Sequence, residues 1–276
     1  MLVNLNEVLQ KAQKEGYAVG LFNTTDTDML QAVIETAEEK RSPVIIGTAE
    51  VLLPYGELSL IAPSIIARAK AASVPVVVHY DHGLTFERCM EALRLGFSSI
   101  MFDGSAKPYA QNVAETAEIV RIAHAFGATV EGEIGHVGNA GVKDEADRYT
   151  TVEEAVTYFN ATRVDALAIA VGTAHGEYKT KPVLNFDRIT EIKNAVPAPL
   201  VLHGGSGLSK EDFQNSIRHG ISKVNIFTDL CLAGSRAMKY AAENGVDYLN
   251  ARNRKVEEMK KAVAEKMDIF GSANKA

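Results

Sequence analysis

Cysteine is scarce in this chain of 276 residues, where only Cys89 and Cys231 occur. Two thiols cannot build a disulfide framework, and neither stands in a C-x-x-C pair, so a reducing compartment fits. Long apolar runs are missing as well. No uncharged stretch approaches the roughly 18 residues that cross a bilayer. The first residues meet Glu7, Lys11 and Lys14 before any apolar core develops, unlike a secretory leader. The expectation is a cytoplasmic protein with no membrane partner. Positive charge is also short: the formal net charge is −6, and the densest basic patch, Asn250-Ala251-Arg252-Asn253-Arg254-Lys255, reads as a solvated helix start. No nucleic-acid partner is expected, and any anionic ligand must be held by a local site. No G-x-G-x-x-G opens a helix after the first expected strand, which removes the usual support for a dinucleotide site. Low-complexity segments and composition breaks are absent too.

What is there is a rhythm of apolar strands and amphipathic helices. After a helix from Leu5 to Glu15, strands are predicted at Tyr17 to Phe22, Pro43 to Gly47, Pro75 to Tyr80, Ser98 to Phe102, Thr129 to Glu133, Asp165 to Val171, Pro199 to Leu202 and Ser222 to Ile226. Helical periodicity fills the intervals and recurs from Arg252 to Phe270. This alternation predicts an α/β protein, a (β/α)8 TIM barrel with extra N- and C-terminal helices, and residues 1–276 as a single catalytic domain. An open doubly wound sheet is the weaker alternative.

Three of the predicted strands end in an imidazole. Val76-Val77-Val78-His79-Tyr80-Asp81-His82-Gly83 delivers His82, the strand before Gly172-Thr173-Ala174-His175-Gly176 delivers His175, and Leu202-His203-Gly204-Gly205-Ser206-Gly207 delivers His203. In a barrel these ends converge on one rim, where three imidazoles hold Zn²⁺ and leave a position for substrate. The other four histidines carry less. His124 and His219 lie in helices and are expected to face solvent; His79 is either a satisfied core residue or a partner behind the ligands; His136 is undecided.

Carboxylates gather on the same rim, at Asp81, Asp103, Glu131 and Glu133. Asp81 is favoured as a general base, with the orienting of an imidazole as the alternative role. Because strand alternation sends Asp81 and His82 to opposite faces, both reach one site only if the chain turns there, which Gly83 permits. Gly204-Gly205-Ser206-Gly207, with Asn225-Ile226-Phe227-Thr228 after the last strand, suits a phosphate, and Gly176 and Lys179 could close its other side. The long segment Gly135 to Thr150 is either a substrate loop or a surface insertion.

Together these motifs, with Phe102-Asp103-Gly104-Ser105, Glu131-Gly132-Glu133-Ile134-Gly135 and Lys223-Val224-Asn225, resemble the class II, zinc-dependent fructose- and tagatose-bisphosphate aldolase family. The resemblance implies that His82, His175 and His203 hold Zn²⁺, that Asp81 is the acid/base, and that Asp103 and Glu133 offer the metal an alternative position. It implies that Asn23, Gly176, Lys179, Gly204, Gly205, Ser206, Asn225, Ile226, Phe227 and Thr228 surround the substrate and its phosphate. The implied reaction is reversible cleavage of a ketose phosphate to dihydroxyacetone phosphate and an aldehyde, and the implied assembly is a homo-oligomer, dimer or tetramer.

Three departures narrow this expectation. Cys231 stands where many members carry a cation, Asp247-Tyr248-Leu249 replaces an Asp-Pro-Arg in a loose alignment, and the loop motif is stretched so that Asp144 and Glu145 both remain candidate loop acids. Losing cations at the distal end points to a ketose 1-phosphate whose aldehyde half is unphosphorylated. The alternatives are a fructose- or tagatose-1,6-bisphosphate aldolase proper, or a metal-dependent hydrolase on the same barrel.

Overall fold

The computed structural model describes residues 1–135, 149–174, 176 and 182–276. Its strands are β1 (Leu2–Val3), β2 (Val19–Asn23), β3 (Val44–Ala49), β4 (Val76–Gly83), β5 (Ser99–Phe102), β6 (Thr129–Ile134), β7 (Ala166–Ile169), β8 (Leu200–Leu202) and β9 (Ile221–Ile226). The helices are α1 (Leu5–Glu15), α2 (Thr27–Lys40), α3 (Leu58–Ala71), α4 (Phe86–Leu95), α5 (Tyr109–Ala125), α6 (Val152–Thr162), α7 (Phe186–Ala195), α8 (Lys210–His219), α9 (Thr228–Glu243) and α10 (Tyr248–Phe270). From β2 to β9 each strand pairs in parallel with the next, and β2 returns to β9 through Val19↔Lys223 and Leu21↔Asn225, which closes an eight-stranded TIM barrel. The predicted fold class is the observed one.

Burial on both faces explains why the strands read as nearly continuous apolar runs. Outward residues such as Val76, Val78 and Tyr80 pack against the surrounding helices, while inward Val19, Leu21, Ile45, Val77, Ala166, Ala168 and Val201 meet Leu5, Val8, Leu9 and Ala12 of α1. Helix α1 therefore plugs the N-terminal end of the barrel. Gly16, in the left-handed conformation at φ 72°, stops it and lets the chain turn back into the wall.

The boundaries differ from the sequence expectation in instructive places. Leu2 and Val3 form an extra strand against Val76 and Val77, too short for periodicity to reveal. Helix α10 starts at Tyr248 because Asp247 accepts from the backbone of Leu249 and Asn250 and so caps it. Strand β7 is shorter than predicted, ending at Ile169. A 3-10 helix at Glu50–Tyr55 follows β3, with Pro54 inside it, and was not anticipated. Strand β4 runs on to Gly83, past the predicted end at Tyr80. Among the described residues, no helix is long and apolar enough to cross a membrane.

Candidate active site

Strand alternation builds the site. Inward positions rise from apolar Val77 to His79 and Asp81 on β4, from Val201 to His203 after β8, and through Glu131 and Glu133 on β6 and Lys223 and Asn225 on β9. The barrel interior is thus apolar below and polar toward the C-terminal rim. Gly47 leaves room for this layer, since a Cβ there would stand 2.5 Å from Asn23 Oδ1.

At the end of β4 the alternation is broken on purpose of geometry: His82 takes φ 46°, a left-handed value unusual for a residue with a side chain, and the β4–β5 register shifts between Tyr80 and Gly83. The consequence is that consecutive Asp81 and His82 both line one cavity of 330 Å³. The turn the sequence required is present.

Asp81 is held on both oxygens, accepting from Asn23 Nδ2 at 2.8 Å and from Asn225 Nδ2 at 3.0 Å. His82 Nδ1 lies 2.8 Å from Asp103 Oδ2, and Asp103 Oδ1 accepts from the backbone and hydroxyl of Ser105. Behind them His203 Nε2 lies 2.8 Å from Glu131 Oε1, Lys223 Nζ donates to Glu131 Oε2 at 2.6 Å, and Asn225 Nδ2 reaches His203 Nδ1 at 3.3 Å. A carboxylate only accepts, so His82 Nδ1 and His203 Nε2 carry protons, and His82 Nε2 and His203 Nδ1 are the ring nitrogens placed to ligate. The two rings stack edge to face with centroids 4.5 Å apart.

This donor set fits a divalent cation. One ligating atom each from Asp81, His82 and His203 lie within 4.8 Å of one another, and so do atoms of His82, Asp103 and Glu133. Both rings carry a carboxylate on the far nitrogen, the arrangement that orients imidazole ligands. The electrostatics agree. Burial works against a charge on His82, yet Asp81, the hydrogen bond it donates to Asp103 and the charge of Glu133 outweigh it and raise its pKa to about 10. A place that draws a proton this strongly is a place for positive charge, which a metal ion would supply instead. Burial would push Asp81 up, but His82, His203, Lys223 and His79 together hold it well below the carboxylate range, so it is ionised. Asp103 is likewise lowered, by the hydrogen bond and charge of His82 against its burial.

The glycine-rich loop after β8 and the segment after β9 also reach this cavity. Gly204, Gly205, Ser206, Asn225, Ile226, Phe227 and Thr228 line the same cavity, as do Asn23, Asp103 and Gly176. Gly204 is left-handed at φ 65°, and a Cβ on it would run into the carbonyl of Ala174. Ser206 Oγ accepts from Phe227 N at 3.1 Å, tying the loop after β8 to the start of α9, whose first turn has no side-chain cap.

Of the expected site residues, His175, Lys179, Asp144 and Glu145 lie outside the described residues, as does His136. Glu133 and His203 are almost wholly buried rather than cavity-lining. His79 is a core residue, fully buried and bonded through Nδ1 to Ser99 Oγ at 2.8 Å; burial and then Lys223 push its pKa down to about 3. His124 is exposed as expected, whereas His219 is half-buried, stacked on Phe186 and bonded to the carbonyl of Asn215. Glu131, grouped with the rim carboxylates, lies within β6 and is wholly buried. Lys223 has no role of its own in the sequence reading beyond its place in the Lys223-Val224-Asn225 motif, although a lysine in the apolar strand Ile221–Ile226 is itself a signal of a buried partner. The wall formed by Val51 and Leu52 was missed because the short 3-10 helix has no periodicity to read.

A parallel barrel whose C-terminal rim gathers carboxylates, imidazoles and a glycine-rich loop at and behind one cavity has the layout of a barrel enzyme. The family model for "Fructose-bisphosphate aldolase class-II" matches residues 3–275, and the chain belongs to that family. It is accordingly an aldehyde-lyase, from a family that acts on sugar phosphates and is generally metal-dependent. It is 39% identical to a fructose-bisphosphate aldolase of Thermus caldophilus, with all of both chains covered. It is 38% identical to a sulfofructosephosphate aldolase of Alkalicoccus urumqiensis, covering 98% of this chain and 96% of that one. The crystal structure of the YdjI aldolase from Escherichia coli K12 superposes with a TM-score of 0.92 at 34% identity over the whole of both chains.

Proposed function

We propose that the chain is a zinc-dependent aldolase that cleaves a ketose 1-phosphate to dihydroxyacetone phosphate and an unphosphorylated aldehyde. The observation that carries this reading is Asp81, an ionised carboxylate pinned by two amides beside two carboxylate-oriented imidazoles, in a cavity that also holds the anion loop. His82 and His203 would hold the zinc together with His175, and Asp103 and Glu133 fit its alternative position. When bound, the zinc supplies an electron sink at the ketose carbonyl.

The chain's own residues do the rest. Asp81 takes the proton from the C4 hydroxyl as the C3–C4 bond breaks, and its two amide partners keep the accepting oxygen aimed. Asn23 Oδ1 and Asn225 Oδ1 are buried and have no hydrogen-bond partner among the described residues, so each is available to accept from a substrate hydroxyl. The phosphate settles against the backbone of Gly204 to Ser206 and the uncapped start of α9, where amide groups and the helix dipole favour an anion. Gly176 and Lys179 complete that wall in the resemblance. Protonation of the cleaved carbanion falls to the loop bearing Asp144 and Glu145.

The aldehyde half is read as unphosphorylated because the described lining of the cavity contains no lysine or arginine, and Val51, Leu52 and Leu84 make part of it apolar. The basic segment near α10 does not make good the deficit, since Arg252 and Lys255 pair with Asp26 and Asp28. Cys231 packs beside Met29, Val256 and Met259 rather than in the cavity, and Asp247 is a helix cap.

A retro-aldol screen tests the proposal, with dihydroxyacetone phosphate release followed across ketose 1-phosphates and 1,6-bisphosphates, before and after chelation. The expected result is release from a ketose 1-phosphate, lost with chelator and restored by zinc. A clear preference for fructose or tagatose 1,6-bisphosphate would overturn the substrate assignment; undiminished turnover after exhaustive chelation would overturn the zinc.

A further inference from the structure

Lys223 and Glu131 form an ion pair inside the barrel, both wholly buried, on strands that are not neighbours. Between β6 and β9 stand β7 and β8, and the inward side chains there, Ala166, Ala168 and Val201, are small enough to let the lysine cross. The ammonium has no other hydrogen-bond or ion-pair partner than Glu131 among the described residues, and Glu131 spends its second oxygen on His203. A buried ion pair generally contributes little to stability compared with well-packed apolar residues, so its effect is to be sought in what it orients.

We infer that Lys223 is a positioning residue for the metal site: by anchoring Glu131 Oε2 it aims Oε1 at His203 Nε2 and so turns the lone pair of His203 Nδ1 toward Asp81 and His82. This rests on the proposed role of His203 as a ligand. The geometry runs in one line, from Lys223 Nζ through Glu131 at 2.6 Å to His203 at 2.8 Å, and ends at Nδ1, which faces the amide that also holds Asp81. His82 is oriented separately, by Asp103. The two imidazoles therefore have independent anchors, one at the cavity wall and one buried. Removing the lysine leaves the Glu131 carboxylate without the group that fixes its direction, and His203 is then free to rotate or to exchange its proton between ring nitrogens. Positive charge at Lys223 also lies near Asp81 and His79, whose pKa values it lowers, so the lysine belongs electrically to the site it does not touch.

The test compares the full chain with Lys223→Met, which keeps the length of the side chain and drops its charge. Nitrogen-15 spectra of the histidine rings in metal-free wild type should show the His203 proton on Nε2; a proton on Nδ1 overturns the inference outright. In Lys223→Met the His203 signature should become mixed while that of His82 stays, and zinc affinity measured against a chromophoric chelator should fall about 10- to 100-fold. A lysine with a merely structural role would lower the melting temperature of the metal-free protein and leave both the His203 signature and the zinc affinity unchanged, which overturns the inference. Should Lys223→Met fail to fold, Glu131→Gln with Lys223→Met leaves no uncompensated charge and still offers His203 an acceptor. That double variant should bind zinc roughly tenfold more weakly, and wild-type affinity in it is again contrary to the inference. Failure of the underlying ligand assignment would look different: His203→Ala would then bind zinc as tightly as wild type.

Discussion

Asp81 and His82 are sequence neighbours whose side chains share one cavity, because His82 adopts φ 46° at the point where β4 and β5 lose register. In an unbroken strand the pair would face opposite sides of the barrel wall. The site depends on that turn, and Gly83, which follows it, packs where there is no room for a side chain.

Gly83→Ala tests this dependence. A Cβ there would stand 2.6 Å from Cys89 Sγ and 2.8 Å from the carbonyl of Met101, and neither can yield far in a packed wall. Destabilisation of about 1–3 kcal/mol is expected from the overpacking. Turnover should fall further than stability accounts for, as measured by kcat at a temperature where thermal melts show the variant folded.

Asp81 and its amide clamp separate by kinetics. Asp81→Ala should cost about 10²- to 10⁴-fold in kcat/KM, the usual range for a lost general base. Asn23→Ala keeps the carboxylate but removes the 2.8 Å bond to Oδ2, and a loosened base should cost on the order of 10²-fold. An Asp81→Ala enzyme cleaving at the wild-type rate would exclude Asp81 as the base.

Asp103→Asn addresses the other imidazole. The amide can present either its oxygen or its nitrogen to His82 Nδ1, so the ring is held less firmly than by the carboxylate at 2.8 Å. Zinc affinity should weaken about 10- to 100-fold, measured by chelator competition. The melting temperature of the metal-free protein should change little.

At the opposite end of the barrel, Leu9→Ala opens a void between α1 and the inward residues of the strands. Leu9 is fully buried, and a loss of about 2–5 kcal/mol is expected in denaturant titrations. KM should stay at the wild-type value, because the apolar plug and the rim are separate layers.

Stability should decline at alkaline pH for a reason visible in the core. Burial pushes the Cys89 thiol from an ordinary value near 9 up to about 12, and burial also raises Tyr158, whose hydroxyl donates to Thr116 Oγ1 at 2.9 Å. A raised pKa means the folded chain keeps a proton that the unfolded chain releases. The contribution is therefore complete below the unfolded pKa and is lost as pH climbs toward the folded value. Thermal melts from pH 8 to pH 11 should show a falling midpoint above about pH 9; a flat profile would contradict the burial of these groups.

The amino-acid order alone determined the alternation of strands and helices, hence the barrel, because backbone hydrogen bonding and apolar periodicity are local and repeat every few residues. It also placed His82, His203, Asp81, Asp103 and the glycine loop at strand ends, where barrel closure makes them neighbours. It could not reveal that Glu131 turns inward to meet Lys223 across two intervening strands, since that pairing depends on the register of β6 to β9 and on the small side chains between them. Nor could it show that Arg252 and Lys255 are consumed by Asp26 and Asp28. Such partners are more than 90 positions apart or on separate helices, and only the closed packing of the whole chain brings their charges within a few ångströms.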